Sequence, residues 1–147
     1  KIFSEGRRDL GKGIWTEEGL AEWSPECFYD QLKQEKKEGW AAYLHYTKDV
    51  PDAMISVNHK TGRVEHLFVT ASARGKGIGQ KMLDFARKKL EEYEHPRLSV
   101  LDTNARAIAL YRRMGWKFTG EKDMEFDPAE YPSVVKKCAL LWMQYEG

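Results

Sequence analysis

The stretch best suited to chemistry is Arg74-Gly75-Lys76-Gly77-Ile78-Gly79. Glycines alternating just ahead of an amphipathic run let bare backbone N–H groups converge on one point, where a helix dipole also favours an anion. Arg74 and Lys76 add positive charge, so the string reads as a phosphate cradle. A Walker loop is excluded, because no GxxxxGK followed by Ser or Thr occurs. The dinucleotide fingerprint GxGxxG fails at its third glycine, where the chain has Gln80. A plain strand-to-helix turn without a ligand remains the bland alternative.

Elements must hold that cradle in place, and hydrophobic periodicity supplies them. Val64, Leu67, Phe68, Val69 and Thr70 fill a run that suits a strand buried over most of its surface. After the glycines, Ile78, Met82, Phe85, Ala86, Leu90 and Tyr93 recur every three or four residues, as one helix face requires. His95-Pro96 stops that helix, and Leu98 to Leu101 forms a short strand. Asp102-Thr103-Asn104 then caps a helix carrying Ala107, Ile108, Tyr111 and Met114, ended by Gly115.

Upstream, residues 40–47, 53–58 and 63–70 read as an antiparallel meander, with a loop over 48–52 and a tight turn over 59–62. Downstream, 116–126 and 134–145 read as two strands around the loop 127–133. The opening stretch, Lys1 to Trp15, is broken by Gly6, Gly11 and Gly13 and reads as a loop or a poor edge strand. A short helix from Thr16, with Leu20, Ala21 and Trp23, ends at Ser24-Pro25. Ser24 and Pro25 also suit the start of another helix, with an apolar stripe at Phe28, Tyr29 and Leu32. Its charged end, Lys33 to Glu38, reads as a solvated face stopped by Gly39. The sum is an α/β (α+β) fold, a mixed and mostly antiparallel sheet flanked by helices, in one domain over 1–147.

Two motifs carry a family resemblance. Arg74 to Gly79 fits (Gln/Arg)-x-x-Gly-x-(Gly/Ala), and Asn104 to Trp116 fits N-x-x-A-I-x-L-Y-x-x-x-G-(F/W) at every named position. In this order, with a strand and a helix between them, they resemble the GNAT superfamily of N-acetyltransferases. The resemblance covers Arg63 to Gly120 well, the meander loosely and the first forty residues poorly. It implies acetyl-CoA as co-substrate, with a splayed pair of parallel strands as its cleft. Arg74, Gly75, Lys76, Gly77, Ile78, Gly79 and Gln80 would hold the pyrophosphate, and Leu67, Phe68 and Val69 would face the thioester. Asn104 would bond the pantetheine arm and Tyr111 would sit by the sulfur. Those two lie seven apart, close to one helix face and two turns from each other. For Tyr111 the plainer reading is a core aromatic.

The resemblance also implies a glutamate base on strand 63–70. A lysine-like amine is only about one part in a thousand neutral near pH 7.4, a handicap of about 4 kcal/mol, so a base is worth having. Glu65 is the first candidate and His66 the second; an ion pair and a satisfied histidine are the structural alternatives. Strand alternation puts Glu65 on a face with Leu67 and Val69, and His66 opposite with Phe68. A backbone N–H near Val69 could polarise the thioester carbonyl if a bulge freed it. Glu17, Glu18, Glu22, Asp123, Glu125, Asp127 and Glu130 could meet at the acceptor mouth, with a mild preference for a cationic amine, although such carboxylates are usually just solvated. Trp15, Trp23 and Tyr131 either line that pocket or pack in the core.

Composition narrows the classes. With 147 residues the chain can bury about 68–70% of its unfolded surface, so no metal or disulfide staple is needed. A formal net charge of +1 gives no global argument for nucleic acid or an acidic membrane. Cys27 and Cys138 stand far apart without metal-ligand spacing, which suits reduced thiols in a cytoplasmic protein. No signal-peptide pattern and no apolar run long enough to span a bilayer occur. The chain begins at Lys1, not at methionine, which leaves its start open. The leading expectation is acetyl transfer from acetyl-CoA to a primary amine of a small molecule or peptide, with no metal. The alternative is an acyl-CoA-binding regulatory module without turnover. Pairing of two copies through the late strands stays open.

Overall fold

A computed structural model of the chain describes residues 1–21 and 25–147, with side chains at all of these except 19, 21 and 25–28. Helices α1 (Ile2–Gly11), α2 (Glu17–Ala21) and α3 (Pro25–Lys37) precede the hairpin strands β1 (Trp40–Thr47) and β2 (Val50–Asn58). Strand β3 (Arg63–Val69), a 3₁₀ turn (Ala71–Ala73) and helix α4 (Ile78–Lys89) follow. Strand β4 (Arg97–Leu101), helix α5 (Ala105–Arg113) and strands β5 (Trp116–Phe126) and β6 (Cys138–Tyr145) complete the order. The sheet runs β1-β2-β3-β4-β6-β5, antiparallel except for β3 beside β4. Among the described residues no helix is long and apolar enough to cross a membrane.

The sheet's two faces bury separate cores. Ile55, Val57, Val64, Leu98, Val100 and Met143 turn toward α4 and α5 and pack with Met82, Leu83, Ala86 and Tyr111. On the other face Met54 and Phe68 pack with Ile2 and Phe3 of α1. Side-chain alternation along a strand requires this division.

The parallel pair is the unusual feature. β3 and β4 are paired only at Arg63↔Arg97 and Val64↔Leu98, whereas β4 is paired with β6 along its whole length. Past Leu98 the two strands part, each held from its other side, and a gap opens in the middle of the sheet.

Several boundaries differ from the sequence expectation. The expected loop over 48–52 is a two-residue turn at Lys48 and Asp49, both at positive φ as a type I′ hairpin turn requires, and β2 starts at Val50. Helix α4 ends at Lys89, a turn before Tyr93. The last strand starts at Cys138, with Val134 outside it, bridged to Trp15 and packed against Ile14 and Cys138. The Ser24 cap and Trp23 fall outside the described residues.

The largest correction is α1, a helix where a loop or edge strand was expected. Gly6 obscures it in the sequence, because glycine inside a helix is unfavourable by about 1 kcal/mol relative to alanine. Its reason is tertiary: a Cβ at Gly6 would lie 2.3 Å from Cγ of Phe68, so only glycine lets α1 lie this close to β3. Gly6→Ala should destabilise the fold by about 1–3 kcal/mol through overpacking, read as a lower urea midpoint at unchanged m.

The β1–β2 hairpin carries a second device. Register passes from His45↔Ala53 to Tyr46↔Pro51, leaving Asp52 as the extra residue of a bulge. The carboxylate of Asp52 accepts from the Thr47 hydroxyl and lies 2.7 Å from His45 Nδ1, and its carbonyl accepts from Thr70 N–H at the end of β3. The bonds to its carboxylate, that from Thr47 foremost and then that from His45, hold its carboxyl below the usual range. A depressed folded pKa stabilises above the unfolded value near 3.9 and is lost as pH falls through the folded value. Asp52→Asn should therefore be less stable than wild type at neutral pH. The gap should shrink below about pH 4 in urea titrations at the two pH values.

Candidate active site

The cradle lies at the mouth of a cavity of about 540 Å³ between β3, α1, the glycine turn and α5. Gly77 is the N-cap of α4 at φ 75, and having no side chain it leaves the first-turn amides of the helix uncapped. Those orphan N–H groups and the positive end of the helix make an anion seat. Gly79 serves packing instead: a Cβ there would lie 3.2 Å from Leu110 on α5. Arg74 is held at the rim, its Nε donating to Val69 O at 3.2 Å and its Nη2 to Asp9 of α1 at 3.1 Å. Leu67, Phe68, Val69, Arg74, Gly75, Gly77, Ile78, Gly79, Gln80, Asn104 and Tyr111 all line this cavity. Lys76 does not line it and is exposed.

A smaller cavity of about 200 Å³ lies beyond it, lined by Leu10, Trp15, Glu65, His66, Leu101 and Phe126 among others. Leu67, Phe68, Asn104 and Tyr111 line both, so the two spaces meet in the gap between β3 and β4. Asn104 is the N-cap of α5, its Oδ1 accepting from Ala107 N–H at 3.2 Å, which leaves its amide NH₂ to face the cavities. Tyr111 is 8% exposed, and burial pushes its hydroxyl up to about 12. It stays protonated at any working pH and can only donate to a developing anion.

A bulge in β3 sets the remaining geometry. Ser56 faces Glu65 and Met54 faces Phe68, so β3 carries one extra residue, and His66 sits there at φ 56. Alternation therefore fails, and the expectation that Glu65 shares a face with Leu67 and Val69 is wrong. Glu65 lies on the Phe68 side, while Leu67 and Val69 pack toward α4. His66 does lie with Phe68, its ring also 4.6 Å from that of Phe3. The bulge brings His66 Nε2 within 3.8 Å of Glu65 Oε2. At the far end of β3 the ladder is regular. Thr70 N–H donates to Asp52, so the alternation of the ladder turns the Val69 N–H away from β2 and toward the gap.

Glu65 is ion-paired with Arg63, which also lies 3.8 Å from Asp123. Behind His66, Glu35 of α3 places Oε1 3.0 Å from Nε2. The His66 bond holds the Glu35 carboxyl low against the opposing pull of burial, the larger single influence. Sequence reasoning missed Glu35 by reading Lys33 to Glu38 as solvated. The usable signal was spacing, since Phe28, Leu32 and Glu35 fall on one helical face. Glu35, Glu65 and His66 bring one donor atom each within 4.8 Å of one another. Arg63 beside Glu65 and Arg7 near Glu35 already supply the positive charge that a metal ion would bring. The trio fits proton handling better than metal binding.

Three of the seven carboxylates expected at an acceptor mouth have other partners, Asp123 lying near Arg63. Glu125 pairs with Lys122 and Lys137, and Asp127 accepts from Ala129 N–H. Glu17 and Glu18 are exposed, and Glu22 is outside the described residues. Trp15 lines the smaller cavity and packs edge-on to Phe126, against which Tyr131 also packs.

A glycine cradle opening a helix, an Asn–Tyr helix one strand later and a parted parallel pair between them match one family's pattern. The acetyltransferase (GNAT) domain pattern spans residues 14–129 of the chain. The chain belongs to this GNAT acetyltransferase family. One relative of the GNAT chain is the spermine/spermidine N(1)-acetyltransferase of Bacillus subtilis (strain 168), 41% identical over 71 residues. That match takes in 45% of this chain and 47% of the relative, so the chain spans about half the length of the curated relatives it matches. Solved GNAT folds superpose further. The ribosomal-protein-alanine N-acetyltransferase of Brucella melitensis gives a TM-score of 0.69 over 96% of this chain and 90% of its own, at 20% identity. The PaiA N-acetyltransferase of Thermoplasma acidophilum, solved with coenzyme A, gives 0.69 over 99% and 89%, at 17% identity.

Proposed function

We propose that this chain, read as one domain over residues 1–147, transfers the acetyl group of acetyl-CoA to a primary amine by direct attack on the thioester. The observation that carries this reading is the junction of the two cavities at Tyr111, in the gap where β3 and β4 part. The larger cavity suits the donor. The uncapped amides of α4, with Arg74 beside them, would hold the pyrophosphate. Backbone groups on the parted strand edges offer the amide-bearing pantetheine arm a ladder partner. The free NH₂ of Asn104 would donate to one of its carbonyls. The smaller cavity suits a slender acceptor, mostly apolar in its walls, with Glu65 as the acid among its lining residues.

The chemistry follows from those placements. Glu65 takes a proton from the acceptor ammonium, forming O–H as N–H breaks, and frees the lone pair. The amine attacks the thioester carbonyl, whose oxygen is stabilised by the Val69 N–H. The C–S bond then breaks, the leaving thiolate accepts a hydrogen bond from Tyr111, and the proton shed by the newly acylated nitrogen passes to that thiolate, giving the amide and free coenzyme A. With the phenol near 12 and a thiol near 8.5, full proton transfer is uphill by about 5 kcal/mol, so Tyr111 acts by hydrogen bonding. The relative that acts on spermine and spermidine makes an aliphatic polyamine the first acceptor to try.

Coenzyme A at about 100 times its Kd should raise unfolding free energy by about 2.7 kcal/mol. Thiol release from acetyl-CoA, followed over polyamines, aminoglycosides, amino acids and short peptides, should give the highest kcat/KM with a polyamine. No stabilisation by coenzyme A would remove the donor assignment, and a better peptide would redirect the acceptor.

A further inference from the structure

Helix α3 carries a carboxylate that acetyl transfer leaves unused. In the run Lys33 to Glu38 the other residues are exposed, but the Glu35 side chain is 12% exposed. Its Oε1 lies 3.0 Å from His66 Nε2 and accepts from Gln31 Nε2, also at 3.0 Å. Its Oε2 is buried with no hydrogen-bond partner among the described residues. Both of its hydrogen bonds fall on Oε1, so the role of this carboxylate is sought at the partners of that oxygen.

The atoms around His66 show what it does. Glu35 Oε1 at 3.0 Å and Glu65 Oε2 at 3.8 Å both face Nε2. Ionised carboxylates only accept, so Nε2 must carry hydrogen, and that hydrogen goes to the nearer oxygen. The charged neighbours are Arg7 of α1 beside Glu35, Arg63 of β3 beside Glu65, and Asp123 of β5 beside Arg63. Phe3, Trp40 and Phe68 surround the ring without adding charge.

We propose that Glu35 is a positioning residue: it draws the Nε2–H of His66 away from Glu65 and so leaves the Glu65 carboxylate open to the acceptor's proton. The proposal rests on Glu65 as the base. Without Glu35 the imidazole hydrogen turns to Glu65, favours its charged form and makes it a weaker base.

The test is a set of pH–rate profiles for wild type, Glu35→Gln, Glu35→Leu, His66→Asn and the Glu35→Leu/His66→Asn pair. Asparagine tolerates the left-handed backbone at residue 66, so the bulge survives. Glutamine keeps an acceptor oxygen and should leave kcat within about twofold. Leucine should lower kcat about tenfold near neutral pH and move the acid limb of kcat/KM down by about one unit, with KM for acetyl-CoA little changed. In the His66→Asn background the leucine effect should vanish. Wild-type rates and profile in Glu35→Leu, or an equal loss in the His66→Asn background, would overturn the proposal. Should Glu35→Leu not fold, ¹⁵N spectra of the wild-type His66 ring decide: protonated Nε2 supports it, and bare Nε2 overturns it. Full activity in Glu65→Gln would instead overturn the base assignment, and this proposal with it.

Discussion

Tyr111→Phe should lower kcat about a hundredfold or more while KM for the acceptor and Kd for acetyl-CoA change by less than about twofold. The ring is buried where the two cavities meet, so phenylalanine keeps the packing and removes only the hydroxyl. In the proposed mechanism that hydroxyl acts on charge that develops as the C–S bond breaks, and an interaction made only in the transition state appears in kcat. Because the phenol titrates near 12, the wild-type rate should show no alkaline limb from Tyr111 below about pH 11. Turnover unchanged in the variant, measured by thiol release, would remove Tyr111 from the mechanism.

Glu65→Gln should lower kcat/KM about a hundredfold at neutral pH, and the loss should shrink as pH rises toward the amine's own pKa near 10. The pH dependence is the stronger half of this expectation. Near pH 7 about one amine in a thousand is neutral and the base must supply the rest, whereas near pH 10 solution supplies it. A carboxylate that only binds the ammonium would behave oppositely, raising KM with kcat intact. Kinetics from pH 7 to 10 with one amine separate the two.

The larger cavity of the candidate site was legible in the sequence because its lining depends on local rules. A positive-φ cap at Gly77 and an Asn–Tyr pair seven apart on one helix are set by neighbours in the chain, and the structure brings them to one cavity. The smaller cavity was not legible, because non-local contacts set it. Gly6 looks like a helix breaker until Phe68 is placed against it. The bulge at His66 defeats the period-two rule that put Glu65 on the wrong face, and nothing in RVEHLFV announces an extra residue. Glu35 sits among charged neighbours, and only the packing of α3 against the sheet shows that it points inward to His66.

The same contrast explains why α1 matters to function. It contributes Gly6, Asp9 and Leu10 to the larger cavity and ties the cradle through Asp9 to Arg74. The opening stretch that looked least structured thus forms one wall of both cavities, since Leu10 faces each of them.

The measurement that bears most directly on the central claim is the stoichiometry of thiol released from acetyl-CoA against N-acetylated product, with and without a polyamine acceptor. Amine-dependent release, one thiol per acetylated amine, is the result expected for direct transfer in the cleft between β3 and β4. Binding of acetyl-CoA with no amine-dependent thiol release would contradict it.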